Sequence, residues 1–129
     1  MIPVNQTIFG FENGNCMQAC VASVFELELN DVPNFMSEGP DRFHELLLRW
    51  CNSKGLTVFD INTGGDCNKI FKDAYVIVAG PSPRNKDKSH AVIYYNDKMV
   101  HDPHPDKSGI IGDPEYITVF ALKDYRRIF

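Results

Sequence analysis

The hydrophobic period of this chain changes once, at Leu56, and that change limits the fold more than any other feature of the 129 residues. Before it, apolar residues recur at helical spacing. The run that follows Gly14-Asn15 contains no proline or glycine through Phe25, and Phe43, Leu46, Leu47 and Trp50 mark one face of a second helix from about Asp41, its expected cap, to Ser53, with Gly55 as its stop. After Leu56 the chain reads as strands rich in β-branched and aromatic residues: Leu56 to Ile61, Tyr75 to Ala79, His90 to Tyr95, Lys98 to Asp102 and Tyr116 to Phe120. Asn96-Asp97 is a tight-turn pair that makes a hairpin of the two middle runs. Gly80 to Ser89, with two prolines and alternating charge, reads as an exposed loop leading into His90. Helices first and antiparallel strands after specify an α+β fold, not alternating βαβ units.

A chain of this length is expected to form one domain over residues 1–129, burying about two-thirds of the surface it exposes when unfolded. Its 43% hydrophobic and 23% charged residues are ordinary for a globular protein. The net charge of −4, with Lys and Arg scattered, offers no basic stripe for a phosphate backbone, so nucleic acid is not expected as a partner. The start, Met1 to Gln6, lacks a basic region followed by an apolar core, and the longest apolar run, Ala74 to Ala79, is too short for a bilayer. No membrane partner and a cytoplasmic location are the expectations. The four cysteines include no Cys-x-x-Cys pair, and Cys16, Cys20, Cys51 and Cys67 are read as reduced thiols, with disulfides the alternative in an exported protein.

The first helix is apolar nearly all round, from Met17 through Leu27, which places it centrally, packed on more than one side. Gly14 permits a tight turn into it and Asn15 is the expected helix cap. Cys16 then falls on its first turn, where unsatisfied N–H groups and the helix dipole favour a thiolate. Taken alone, Cys16 reads first as a small buried hydrophobe. Two further residues bear on the choice. His90 opens one strand of the hairpin and Asp102 closes the other, so the fold-back brings both to one end of the sheet. A histidine can take the thiol proton, and a carboxylate behind it fixes the tautomer and stabilises the imidazolium. Upstream, on a short strand or extended lead-in from Val4 to Phe9, Gln6 carries an amide able to donate toward an oxyanion; Gln18 competes for that role but lies beyond Cys16 on the helix.

Gly14-Asn15-Cys16-Met17-Gln18-Ala19-Cys20, His90-Ala91-Val92-Ile93 and Val100-His101-Asp102-Pro103 together resemble the cysteine, histidine and aspartate boxes of papain-like cysteine peptidases. The order is most similar to bacteriocin leader-peptide (double-glycine) peptidases and their small phage and bacterial relatives. The resemblance implies a minimal papain-like fold, with the cysteine helix packed on an antiparallel sheet that carries histidine and aspartate. It also implies a Cys16, His90 and Asp102 triad, with Gln6 lining the oxyanion hole. The expected function is a thiol hydrolase that cleaves a peptide, isopeptide or other amide bond, with a protein or peptide substrate, including a conjugated or tail segment, and no cofactor. Leader peptidases start the box with Asp-Cys-Gly, whereas this chain has Asn15-Cys16-Met17 and a longer separation of Gln6 from Cys16. Papain-like folds also host acyltransferases and transglutaminases, and a non-catalytic peptide-binding module that keeps the cleft is a further alternative. A metal held by His101, His104 and a carboxylate is a competing reading of the segment His101 to Asp106; otherwise both histidines flank Asp102 at the cleft rim.

Overall fold

The structure is a computed structural model that describes residues 1–64 and 71–129. Cys67 lies outside the described residues. Helix α1 (Cys16–Phe25) and helix α2 (Phe43–Ser53) come first, and strands β1 (Leu56–Asn62), β2 (Tyr75–Ser82), β3 (Asn85–Tyr95), β4 (Lys98–His101) and β5 (Tyr116–Leu122) follow. Single 3₁₀ turns stand at Leu29–Asp31, Pro40–Arg42 and Tyr125–Arg127. The strands form one sheet in the order β1-β5-β2-β3-β4, with every pairing antiparallel. This is the α+β fold the change of period predicts.

Helix α1 stops where Glu26 turns left-handed at φ 56° and sends its N–H back to the carbonyls of Ala22 and Ser23. Gln18 through Ser23 are all buried, as expected of a central helix. The helix lies against β2 and β3, and Cys20, Val21 and Ala22 join Val32, Phe35, Leu47, Cys51, Ile77, Ala91 and Ile93 in one apolar cluster. Each fully buried large side chain there contributes about 1.5–3 kcal/mol. A second cluster, Val78, Val92 and Ile117, is packed by Phe71, Val76, Tyr94, Ile110 and Val119.

Two expectations need correction. The stretch read as an exposed loop from Gly80 to Ser89 is the outer part of a hairpin: β2 runs to Ser82, β3 begins at Asn85, and Ser82 pairs with Asn85 beyond a bulge. Residues Asn85 to Ser89 are exposed on both faces, so no apolar alternation marks them as strand. The second helix begins at Phe43, and Asp41 sits in the preceding 3₁₀ turn instead of capping it. Gly55 does end that region, at φ 79°. The Asn96-Asp97 turn is as expected, with both residues at positive φ, 46° and 78°.

The segment ahead of α1 is an extended lead-in without strand pairing. Backbone and side-chain hydrogen bonds hold it at several points. Ile2 N–H donates to Ser23 O, Val4 N–H to Ser23 Oγ, Gln6 N–H to Pro103 O, and Asn15 N–H to Ile8 O. Among the described residues, no helix is long and apolar enough to cross a membrane.

Candidate active site

Cys16 is the first residue of α1 and is partly exposed, whereas Cys20, one turn on, and Cys51 in α2 are fully buried; all three thiols are free. Burial, reinforced by the negative charge of Cys16 and Asp102, pushes the Cys20 thiol well up, and burial lifts Cys51 to about 11. Of these three thiols, Cys16 is the one that lines the cleft.

The pairing of Ile93 with His101 across β3 and β4 fixes the other two groups. His90, just upstream of Ile93, and Asp102, just past His101, arrive at the same end of the sheet. His90 is 3% exposed and Asp102 1%. His90 Nε2 lies 2.8 Å from Asp102 Oδ1, which leaves Nδ1 for the cleft that His90 and Cys16 both line. Burial opposes a charge on His90, but the hydrogen bonds with Asp102 and Cys16, and their negative charge, prevail and raise it to about 9. Burial likewise opposes ionised Asp102. Hydrogen bonds from His90, from the His104 N–H at 2.9 Å and from the Gly109 N–H at 2.7 Å overcome it and hold the carboxyl below its usual range.

Sequence reading misses these last two donors, because a backbone N–H leaves no residue-type signature. Gly109 is at φ 75°, and a Cβ there would crowd Met99. Lys107 adds a third support. Its Nζ donates to Asp102 O at 2.6 Å and to Asn5 Oδ1 at 2.9 Å, joining the aspartate to the N-terminal segment.

Gln6 is 7% exposed and faces the same cleft as Cys16 and His90. One amide N–H of Gln6 donates to Ile8 O at 3.0 Å, and its Oε1 is buried with no partner among the described residues. Gln18 is removed from contention: it donates to Leu29 O and Val32 O and accepts from Asn15. Asn15 does not cap α1. Its Oδ1 accepts no backbone N–H of the helix and instead accepts from the N–H groups of Thr7 and Ile8, forgoing a contact of about 1 kcal/mol.

The two flanking histidines part company. His101 is buried with Nε2 2.7 Å from Val4 O, so it belongs to the binding of the lead-in and not to the cleft rim. His104 does line the cleft, edge-on to Phe9 at 5.2 Å and to His90 at 6.3 Å, and its Nδ1 accepts from the Asp106 N–H. Among the described residues, no three His, Cys, Asp or Glu side chains are grouped to hold a metal.

The cleft encloses about 750 Å³. Phe9, Phe11, Met17, Met36 and Phe43 give it apolar surface, and Asp60, Arg84, Lys88 and Tyr116 add polar surface. Arg84 is held by Asp106 at 2.8 Å. This arrangement can take a proton from a thiol, hold it on a buried imidazole, and return it to a group bound in the cleft. Comparison with protein-family models, with curated proteins and with solved structures finds no match for this chain.

Proposed function

We propose that this chain is a thiol hydrolase that breaks the C–N bond of a peptide, isopeptide or other amide through a thioester on Cys16. One observation carries the reading: a buried imidazole bonded to a buried carboxylate shares a cleft of about 750 Å³ with a partly exposed thiol at a helix start. The papain-like order of the three residues supports it.

In the proposed reaction the Cys16 proton passes to His90. Sulfur attacks the acyl carbon, the S–C bond forms, and the carbonyl electron pair moves onto oxygen. The Cys16 N–H and the second amide N–H of Gln6 receive that oxyanion. As the oxyanion collapses, the C–N bond breaks and His90 gives its proton to the leaving amine. Water then adds to the thioester, returning a proton to His90, and the S–C bond breaks to release the acid and restore the thiol. Asp102 keeps the ring oriented and favours its charged form throughout. The apolar surface of Phe9, Phe11, Met17, Met36 and Phe43 suits a protein or peptide substrate with a large apolar side chain near the scissile bond. An amine in place of water would make the same thioester an acyl-transfer intermediate. Free thiols at Cys16, Cys20 and Cys51 suit a reducing compartment, and we place the protein in the cytoplasm.

The test is site-mapped alkylation. Iodoacetamide at about pH 6, where a thiol of ordinary pKa is scarcely ionised, is expected to modify Cys16 ahead of every other cysteine. Equal labelling of the accessible cysteines, or none at Cys16, would sink the proposal. With a peptide substrate in hand, Cys16→Ala abolishes turnover while the fold persists, and Gln6→Ala lowers turnover by about 10²–10³, the scale of one oxyanion donor.

A further inference from the structure

We propose that Asn15 is the positioning residue of the oxyanion site: it clamps the Gln6–Ile8 segment onto the start of the nucleophile helix and so fixes Gln6 relative to Cys16. This inference rests on the thioester reading, because it concerns the donor that reading assigns to Gln6.

The clamp is built from a side chain whose hydrogen-bonding capacity is fully used. Asn15 is 2% exposed. Its Oδ1 accepts from Thr7 N–H at 2.9 Å and Ile8 N–H at 2.8 Å, and its Nδ2 donates to Thr7 Oγ1 at 3.0 Å and Gln18 Oε1 at 3.1 Å. The Asn15 N–H donates to Ile8 O, the same carbonyl that receives the Gln6 amide. Ile8 is thus gripped from both sides by Asn15, and the side chain of Gln6 hangs on the gripped peptide. Behind it, Gln18 braces Asn15 against Leu29 O at 3.0 Å and Val32 O at 2.7 Å, just beyond the helix. Asn15 is bonded directly to Cys16, so one residue sets the sulfur and the amide against each other. The Oδ1 of an N-cap asparagine ordinarily accepts from its own helix's first N–H groups, and this one accepts from Thr7 and Ile8 instead.

A positioning role separates two reactions of the same thiol. Iodoacetamide is attacked at a saturated carbon: the S–C bond forms, iodide leaves, and no charge develops on oxygen. N-acetyl-phenylalaninal is attacked at its carbonyl: the S–C bond forms, the carbonyl electrons move to oxygen, and that oxygen needs Gln6 or a proton from His90. Asn15→Ala is expected to weaken the aldehyde complex by about tenfold or more, while the alkylation rate at Cys16 stays within about twofold. Gln6→Ala shows the same selective loss, and the double variant loses no more than Gln6→Ala alone, since both remove one contribution. Asn15→Ser, a good cap with a hydroxyl too short for the two amides, carries the same expectation should Asn15→Ala fail to fold. Fully additive losses in the double variant, or equal losses in both reactions, overturn the clamp while leaving the thiol mechanism standing. A wild-type protein whose Cys16 reacts with neither reagent removes the thioester reading and the clamp with it.

Discussion

Burial alone would strip His90 of its proton. The ring keeps it to about pH 9 because Asp102 and Cys16 hold it from two sides, and that balance predicts two pH effects. In the proposed reaction the proton must be present to reach the leaving amine, so kcat/KM should fall on the alkaline side with a midpoint near 9. Asp102→Asn removes the charge that favours imidazolium and leaves the burial that opposes it. Its alkaline limb should move toward acid, with activity at neutral pH down by about 10²–10⁴; an unmoved limb would assign it to another group. Stability follows the same proton. His90 binds it more tightly folded than unfolded, so its contribution is complete below about pH 6.5, the ordinary histidine value, and is lost as pH rises through about 9. Denaturant unfolding at about pH 7 and pH 10 should show a decline in the wild type that is smaller in His90→Gln. Asp102 acts oppositely: its contribution is present above the ordinary carboxylate value and disappears as pH falls through its lowered one.

At the scale of elements, the site is assembled by turns as much as by the strands and the helix. Gly14 delivers the chain to α1 so closely that a Cβ would collide with the Gly10 carbonyl. Gly14→Ala should destabilise the protein by about 1–3 kcal/mol and slow alkylation of Cys16, both measurable on one purified variant. Gly109→Ala disturbs the other end. At φ 75° and against Met99, it should draw the N–H away from Asp102 Oδ2 and let the Asp102 carboxyl rise toward its usual range, visible in the pH dependence of its carboxyl carbon shift by NMR. The strands and the His90–Asp102 hairpin were legible in the sequence because their period of two and the Asn-Asp turn are local properties. The outer part of β2 and β3 was not, because a ladder exposed on both faces needs no apolar residues to form. Asn15 misled for a related reason: cap preference reports what a side chain can accept, while the amides of Thr7 and Ile8 reach it only through the fold. His101 and His104 look alike in sequence, yet one is turned to Val4 O and the other to the cleft.

Across the whole molecule, one core supports both halves of the site. Phe35, 1% exposed, meets the rings of Phe43 and Trp50 edge-on at 6.4 and 6.1 Å and packs in the cluster that includes Cys20, Ile77 and Ile93. Phe35→Ala should lower unfolding free energy by about 3–5 kcal/mol in a denaturant titration. The lead-in that carries Gln6 ties the two halves together, since it bonds to Ser23 and Asn15 at the helix and to His101 and Pro103 beyond β3. That arrangement also orders events during synthesis. The ribosome delivers Gln6, Asn15 and Cys16 first, and makes the sheet that bears His90, Asp102 and Gly109 only later. Until the second half emerges and the domain closes as a unit, the nascent chain carries a sulfur with no imidazole to receive its proton. The cell thus meets the assembled site only after the sheet has been made.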